Sequence, residues 1–296
     1  MLIDESRLHI AIQKSGRLSD DSRGLLREAG LRIQSGRNDL TARIENYPAD
    51  LMFVRDDDIP TFVADGVCEL GIVGANVLEE FALGESEHRL EVLARLGFGR
   101  CSLRIAAPET ADYRGPESLA GSRIATSYPR LLRRFLDGNG VAAEIVEMNG
   151  AVELAPRLGV ANFICDLVST GSTLEANRLR PVETVLDSEA LLVRTRRALP
   201  EAKAALVAPL VGRIEGVLAT RDSKYIMLNA TEEALEKITA ILPGAEAPTI
   251  VPLHGRPGHF AVHAVCQESV FWETLQKLKE AGASAILVVP IEKMML

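Results

Sequence analysis

The chain has 296 residues, 47% hydrophobic and 25% charged, ordinary proportions for a globular chain with room for two or three domains and a sizeable core. A net charge of −8 argues against general nucleic-acid binding, so an anionic ligand would have to meet local basic residues working against the overall field. Four separated cysteines with no C-x-x-C pair do not indicate a disulfide framework or zinc site, while charges near the N-terminus and the lack of a long apolar run predict a cytoplasmic chain with no membrane partner.

Leu8 to Ile12 reads as a first strand. The basic loop Gln13-Lys14-Ser15-Gly16-Arg17 follows, then a helix with Ser19 as its expected cap, ending near Gly30. By itself such a loop reads rather as a solvated turn, although it stands where an α/β sheet binds anions. Leu31 to Gln34 is a candidate strand, and Ser35 to Asp39 a turn that carries Arg37. Leu51 to Val54 is a buried strand, followed by Arg55-Asp56-Asp57-Asp58-Ile59-Pro60. The three aspartates read better as helix-start chemistry, with Asp58 the cap and Pro60 in the first turn, than as a metal site. Glu69 to Gly74 is the next strand and tight turn, with a helix from Asn76. Alternating strand and helix predicts a parallel α/β sheet.

Near Phe98 the character changes. Ser102 to Ala107, Ile124 to Thr126 and Glu144 to Glu147 read as strands, with a helix over Tyr128 to Leu136 and a short one around Glu153. Phe163 to Val168 is a short apolar strand ending in Ser169-Thr170-Gly171-Ser172-Thr173, with a helix from about Thr173. The small residues permit a tight turn and close approach of the backbone to a ligand. The run reads either as a turn and helix cap or as an anion cradle, and Asp166 just before it favours the second. An acid there can accept hydrogen bonds from vicinal ribose hydroxyls, so the expected ligand is a sugar phosphate. Cys165 reads as core rather than nucleophile.

Val182 to Leu186 and Ala190 to Val193 read as strands returning to the first lobe, and Leu199 to Leu218 as a helix kinked or broken at Pro209. The expected division is therefore 1–98 with 181–220, then 99–180, with a cleft between the two lobes. From 223 to 296 the pattern is βαββαβ, ending its first helix at Pro243-Gly244. No catalytic cluster appears there, which suits regulation or assembly; His259 and His263 read as surface strand residues.

Gln13 to Leu18, Val54 to Pro60, Leu70 to Gly74, Ile124 to Pro129, Val152 to Pro156 and Asp166 to Leu174 occur in that order, and together they resemble the ATP phosphoribosyltransferases, the first enzymes of histidine biosynthesis. The carboxyl-terminal segment, with Ala247-Pro248-Thr249-Ile250 and Ile291-Glu292-Lys293-Met294, resembles the family's long form. The resemblance implies a two-lobed core like that of periplasmic binding proteins and an ACT-like, ferredoxin-like regulatory domain. It implies that N1 of ATP attacks C1 of phosphoribosyl pyrophosphate. Lys14, Arg17 and Arg37 match catalytic positions near the phosphates. Asp166, Ser169, Thr170, Gly171, Ser172, Thr173 and Leu174 match the phosphoribosyl loop. Lys14, Arg17, Arg55, Gly71 and Gly74 match the ATP site, and Asn229, Ala247, Thr249 and Ala283 the site for inhibitory histidine. Mg2+ held mainly by substrate phosphates, AMP as a further ligand, and a homo-oligomer of dimers up to a hexamer complete what it implies. Cys165 departs from the paired acids that other phosphoribosyltransferases carry before this loop. A transferase for another base, or a two-lobed solute-binding or sensor protein, are the competing readings.

Overall fold

A computed structural model describes residues 6–34, 40–84, 89–221, 223–242 and 247–294. The turn expected over Ser35 to Asp39, with Arg37, and the helix stop at Pro243-Gly244 lie outside the described residues. The chain forms two compact units, Met1–Arg27 with Leu31–Ala208, and Glu28–Gly30 with Pro209–Leu296.

The first unit holds two sheets. Its strands are β1 Leu8–Gln13, β2 Ile33–Gln34, β3 Thr41–Ile44, β4 Ala49–Val54, β5 Leu70–Gly74, β6 Leu90–Arg95, β7 Cys101–Pro108, β8 Arg123–Thr126, β9 Glu144–Glu147, β10 Phe163–Val168, β11 Leu179–Ser188 and β12 Ala190–Thr195. Its helices are α1 Arg17–Glu28, α2 Ile59–Ala64, α3 Ala75–Ala82, α4 Pro129–Gly138 and α5 Ser172–Ala176, and α6 Glu201–Leu218 begins in it. The first sheet runs β2-β3-β4-β1-β5-β12-β6 and the second β11-β7-β10-β8-β9.

Neither sheet is purely parallel. Parallel centres, β4-β1-β5 and β10-β8-β9, are flanked by antiparallel strands. In each parallel centre one strand has neighbours reached in opposite directions, β1 in the first sheet and β8 in the second. Crevices at the carboxyl ends of such strands are where open α/β sheets bind ligands.

Apolar residues from both sheets make one core. Ala11, Ile59, Val73 and Val193 pack in a cluster with Leu103, Ile105, Leu131 and Phe163. The lobe boundary differs from expectation at one strand. Val182 to Leu186 lies in β11, which pairs along its length with β7 of the second sheet; only β12 returns to the first. Proline at 181 and the register shifts near it allow β11 to curve along β7 as an edge strand. Pro209 does not break α6, which is helical throughout Glu201–Leu218. Ser19 is not a cap: α1 starts at Arg17, and the buried Ser19 hydroxyl has no hydrogen-bond partner among the described residues.

An ion cluster fixes the start of α6 within the first unit. The Lys203 ammonium donates to Glu69 Oε1 at 2.5 Å, and the backbone N–H of His9 donates to Glu69 Oε2 at 2.7 Å. All three residues are buried, with 7%, 5% and 4% exposure. In the second unit, β13 Ser223–Thr231, α7 Glu232–Ile241, β14 Thr249–Pro252, β15 His259–Gln267, α8 Glu268–Glu280 and β16 Ser284–Pro290 realise the βαββαβ pattern. Their sheet is antiparallel, in the order β14-β15-β13-β16. Ile226, Leu228, Val262 and Ala264 meet Ile238 and Leu278 in its core. Among the described residues no helix is long and apolar enough to cross a membrane.

Candidate active site

The carboxyl ends of β1, β4 and β5 form one rim. The Lys14 N–H donates to the Val54 carbonyl at 2.8 Å, extending the β1–β4 ladder past Gln13 and setting Lys14 beside Arg55. Gly16 turns the chain into α1 at φ 93°, a conformation glycine adopts without strain. Lys14, Arg17 and Arg55 are exposed, and none has a hydrogen-bond or ion-pair partner among the described residues. Three unpaired cations at parallel strand ends can receive a polyanion.

Gly71 does not belong to this rim. It is buried within β5, where an added Cβ would lie 2.8 Å from Ile59 Cγ2 and 2.9 Å from Val63 Cγ2. Its missing side chain lets α2 press onto the sheet. Gly74 does reach the rim, at the last residue of β5. A Cβ there would run into Asn76 Oδ1.

The second rim is the end of β10 and β8. Asp166 is half-buried and accepts a hydrogen bond from the Leu167 N–H at 2.8 Å. Burial pushes its carboxyl up; the Leu167 bond opposes that and the Glu153 charge adds to it. Gly171 takes φ 83°, and α5 starts directly after it. Ser169, Thr170, Ser172 and Thr173 are exposed, and the only side-chain bond joining them is Thr170 Oγ1 to Ser172 Oγ at 3.1 Å among the described residues. Leu174 is buried and pins the loop to the lobe core beside Ile164 and Leu179. Ser169 also borders a cavity of about 480 Å³ with Arg95, Arg100, Ser102 and Ser188. Cys165 is buried, and its thiol is pushed well above the ordinary range by desolvation, so it is no nucleophile.

Side chains that the sequence reading missed join the two rims. Asn76, at the start of α3, donates through Nδ2 to the Tyr128 hydroxyl at 2.9 Å. Ser188 donates to Asn76 Oδ1 at 2.7 Å and accepts from the Asn76 N–H at 3.1 Å. Glu80 of α3 accepts from the Arg130 and Leu131 N–H groups, both at 2.9 Å, and so caps α4 from the other lobe. Desolvation raises the Tyr128 phenol, and the charges of Asp57, Asp56 and Asp166 raise it further, while the Asn76 bond lowers it. Acids of both rims therefore act on one phenol. A Gly-x-Asn step after a strand, with Tyr-Pro opening a helix elsewhere, was a local signal, but their pairing was not.

In the regulatory candidate region, Asn229 pairs with Ser284 across β13 and β16, next to Ala283. Thr249 pairs with His263 on the far side of the sheet, and Ala247 precedes it. Within one chain the four residues make two separate groups.

Comparison with known proteins identifies the family. The family model HisG, ATP phosphoribosyltransferase, matches residues 55–216, more than half the chain, and the model HisG, C-terminal domain, matches residues 220–293. A chain of the ATP phosphoribosyl transferase (HisG:HisZ) complex from Thermotoga maritima is similar at 26% identity and a TM-score of 0.57. That match covers 70% of this chain and 98% of the other. The alkanesulfonate-binding protein SsuA from Xanthomonas axonopodis pv. citri matches at 17% identity and TM-score 0.48, over 72% of this chain and 74% of that one.

Proposed function

The chain belongs to the ATP phosphoribosyltransferase family, and on that premise we propose how its two rims divide the reaction between them. The enzyme joins N1 of ATP to C1 of the ribose of 5-phosphoribosyl 1-pyrophosphate and releases pyrophosphate, the first step of L-histidine biosynthesis. In our reading the loop 169–173 cradles the ribose 5-phosphate with backbone N–H groups and hydroxyls, while Asp166 accepts from the ribose hydroxyls. Lys14 and Arg17 face the pyrophosphate and stabilise the charge it gains on leaving, a role Arg37 shares by its match to the family position. Arg55 and the Gly74 turn border ATP.

Adenine N1 already carries a lone pair, so the site needs no strong base, and catalysis rests on orienting two polyanions. Members of the family are metal-dependent. Asp166 at the loop offers hard oxygen donors of the kind that suit Mg2+, and among the described residues no three His, Cys, Asp or Glu side chains converge on one point. An ion carried in on substrate phosphates, with most of its waters kept, fits that donor set. Bound, it would neutralise pyrophosphate charge.

The observation that carries this reading is the tandem of family models, with the Asp166–Thr173 loop inside the first. The test is pyrophosphate release with ATP and phosphoribosyl pyrophosphate, each omitted in turn. Release that does not depend on both rejects it. We further propose that the second unit senses histidine. The Thermotoga match leaves about a third of this chain uncovered, and the C-terminal family model lies at residues 220–293. Asn229→Ala in the full chain should weaken histidine inhibition and leave the uninhibited rate unchanged; unchanged inhibition would move the site elsewhere. Assembly with copies of itself belongs to the same proposal, and sedimentation tests it.

A further inference from the structure

The loop 169–173 carries no cation of its own. The charged residues nearest to it along the chain are acids, Asp166 and Glu175. Helix α5 behind it has only five residues, so its dipole adds little. A phosphate dianion held there by N–H groups and hydroxyls alone would stand uncompensated near two carboxylates. A cation has to come from another part of the fold.

The sheet register supplies one. β10 pairs antiparallel with β7, and their ladder ends with Val168 opposite Ser102. Ser169 therefore leaves the sheet where Arg100 and Cys101 enter it. Ser169 and Arg100 line the same cavity of about 480 Å³. Its other charged walls already have partners. Arg95 donates through Nη1 to Glu189 Oε1 at 2.8 Å, and the Ser102 hydroxyl donates to Asp187 Oδ1 at 2.8 Å. Arg100 is exposed, with no hydrogen-bond or ion-pair partner among the described residues. Arg104, within β7, stands opposite Asp166 inside the sheet and short of the loop.

The backbone that carries Arg100 is fixed from both sides. Gly99 takes φ 65°, and an added Cβ would lie 3.3 Å from Leu18 Cδ1 and 3.7 Å from Ala190 Cβ. The Ala190 N–H donates to the Phe98 carbonyl at 2.9 Å. Leu18 follows Arg17 in α1, so this packing ties the segment to the Arg17 rim, as the β10 ladder ties it to the loop.

We propose that Arg100 is the cation of the phosphoribosyl loop: its guanidinium closes the cavity side of the cradle and holds the 5-phosphate of phosphoribosyl pyrophosphate. The inference rests on the reading that the loop binds that phosphate. A planar fork of N–H donors matches phosphate oxygens in pairs, and its charge offsets the dianion that the neutral loop cannot.

The experiment measures, by calorimetry on the full-length enzyme without ATP, the affinity for phosphoribosyl pyrophosphate and, separately, for inorganic pyrophosphate. Arg100→Gln should weaken phosphoribosyl pyrophosphate roughly ten- to a hundredfold, the loss expected for hydrogen bonds to a charged group, and leave inorganic pyrophosphate unchanged. Arg100→Lys keeps the charge without the fork and should lose less. Because Arg100 is exposed and unpaired among the described residues, both variants should keep the wild-type Tm. Unchanged affinity for phosphoribosyl pyrophosphate in Arg100→Gln overturns the proposal. An equal loss for both ligands overturns it too, since it would put Arg100 at the leaving group. If the wild type does not bind phosphoribosyl pyrophosphate at all, the reading beneath the proposal fails instead and takes it down.

Discussion

In the loop 169–173 four hydroxyl side chains stand exposed, and among the described residues a single side-chain bond joins any of them, Thr170 to Ser172. In the Asn76–Ser188–Tyr128 cluster, a few strand-ends away, all three residues are buried and their polar atoms are paired save the Tyr128 proton. Both regions are polar, yet the physical consequences oppose each other. Exposed, unpaired groups contribute little to the fold and are free for a ligand. Buried, paired groups hold the lobes in register and are costly to disturb. Substitutions in the first should therefore appear in substrate affinity, and in the second in stability.

The largest effect belongs to the buried class. Lys203→Met leaves the Glu69 carboxylate buried beside His9 without its cation. Breaking a buried pair from one side costs about 3–5 kcal/mol, which urea denaturation would read as a large fall in midpoint at unchanged slope. Adding Glu69→Gln should recover much of that loss. If Lys203→Met is as stable as the wild type, the pair is not structurally important and the division drawn here is misplaced.

Next is Arg17→Ala. Arg17 is exposed and unpaired among the described residues, so its removal should leave stability unchanged. If it stabilises charge growing on pyrophosphate, turnover falls roughly a hundredfold with ATP affinity nearly kept. A rise in KM at unchanged kcat would put it in ground-state binding. Thr170→Val and Thr173→Val come third. Each removes a donor to a bound phosphate, at about 1.5–3 kcal/mol of phosphoribosyl pyrophosphate binding and none of stability. Unchanged affinity in both would show that the loop is not the cradle.

The same contrast explains what the sequence disclosed. Short apolar runs and helical spacing marked most elements, though β3 and β6 went unread, and the Asp166-to-Leu174 loop was legible because its chemistry is contiguous in the chain. Tyr128 was invisible as a site residue because its partners are Asn76, 52 positions away, and the acids of two different rims. Gly71 shows the converse: Ile59 and Val63, which take up the space beside it, are too far from it in the chain for the sequence to reveal the packing. Val182 to Leu186 had a strand pattern, but pattern alone does not choose between two sheets, and pairing with β7 decided it.

The smallest effect tests whether the lobes are tied at one more point. Glu80 belongs to α3 of the first lobe, and its carboxylate accepts from the N–H groups of the second and third residues of α4 in the other. Tyr128, the residue at the cap position, makes no side-chain cap bond of its own, and Pro129 has no N–H to satisfy. The cap is therefore supplied from across the lobe boundary. Glu80→Ala should cost about 1 kcal/mol, the usual loss of a helix cap. Glu80→Gln should cost less, because the amide oxygen can still accept one bond. Because the same cap holds Tyr128 at the start of α4, the alanine variant should also weaken ATP and phosphoribosyl pyrophosphate together, by a small common factor. Lower stability with both affinities untouched would make Glu80 a cap and nothing more, and would place the register of the lobes in the buried Asn76 cluster alone.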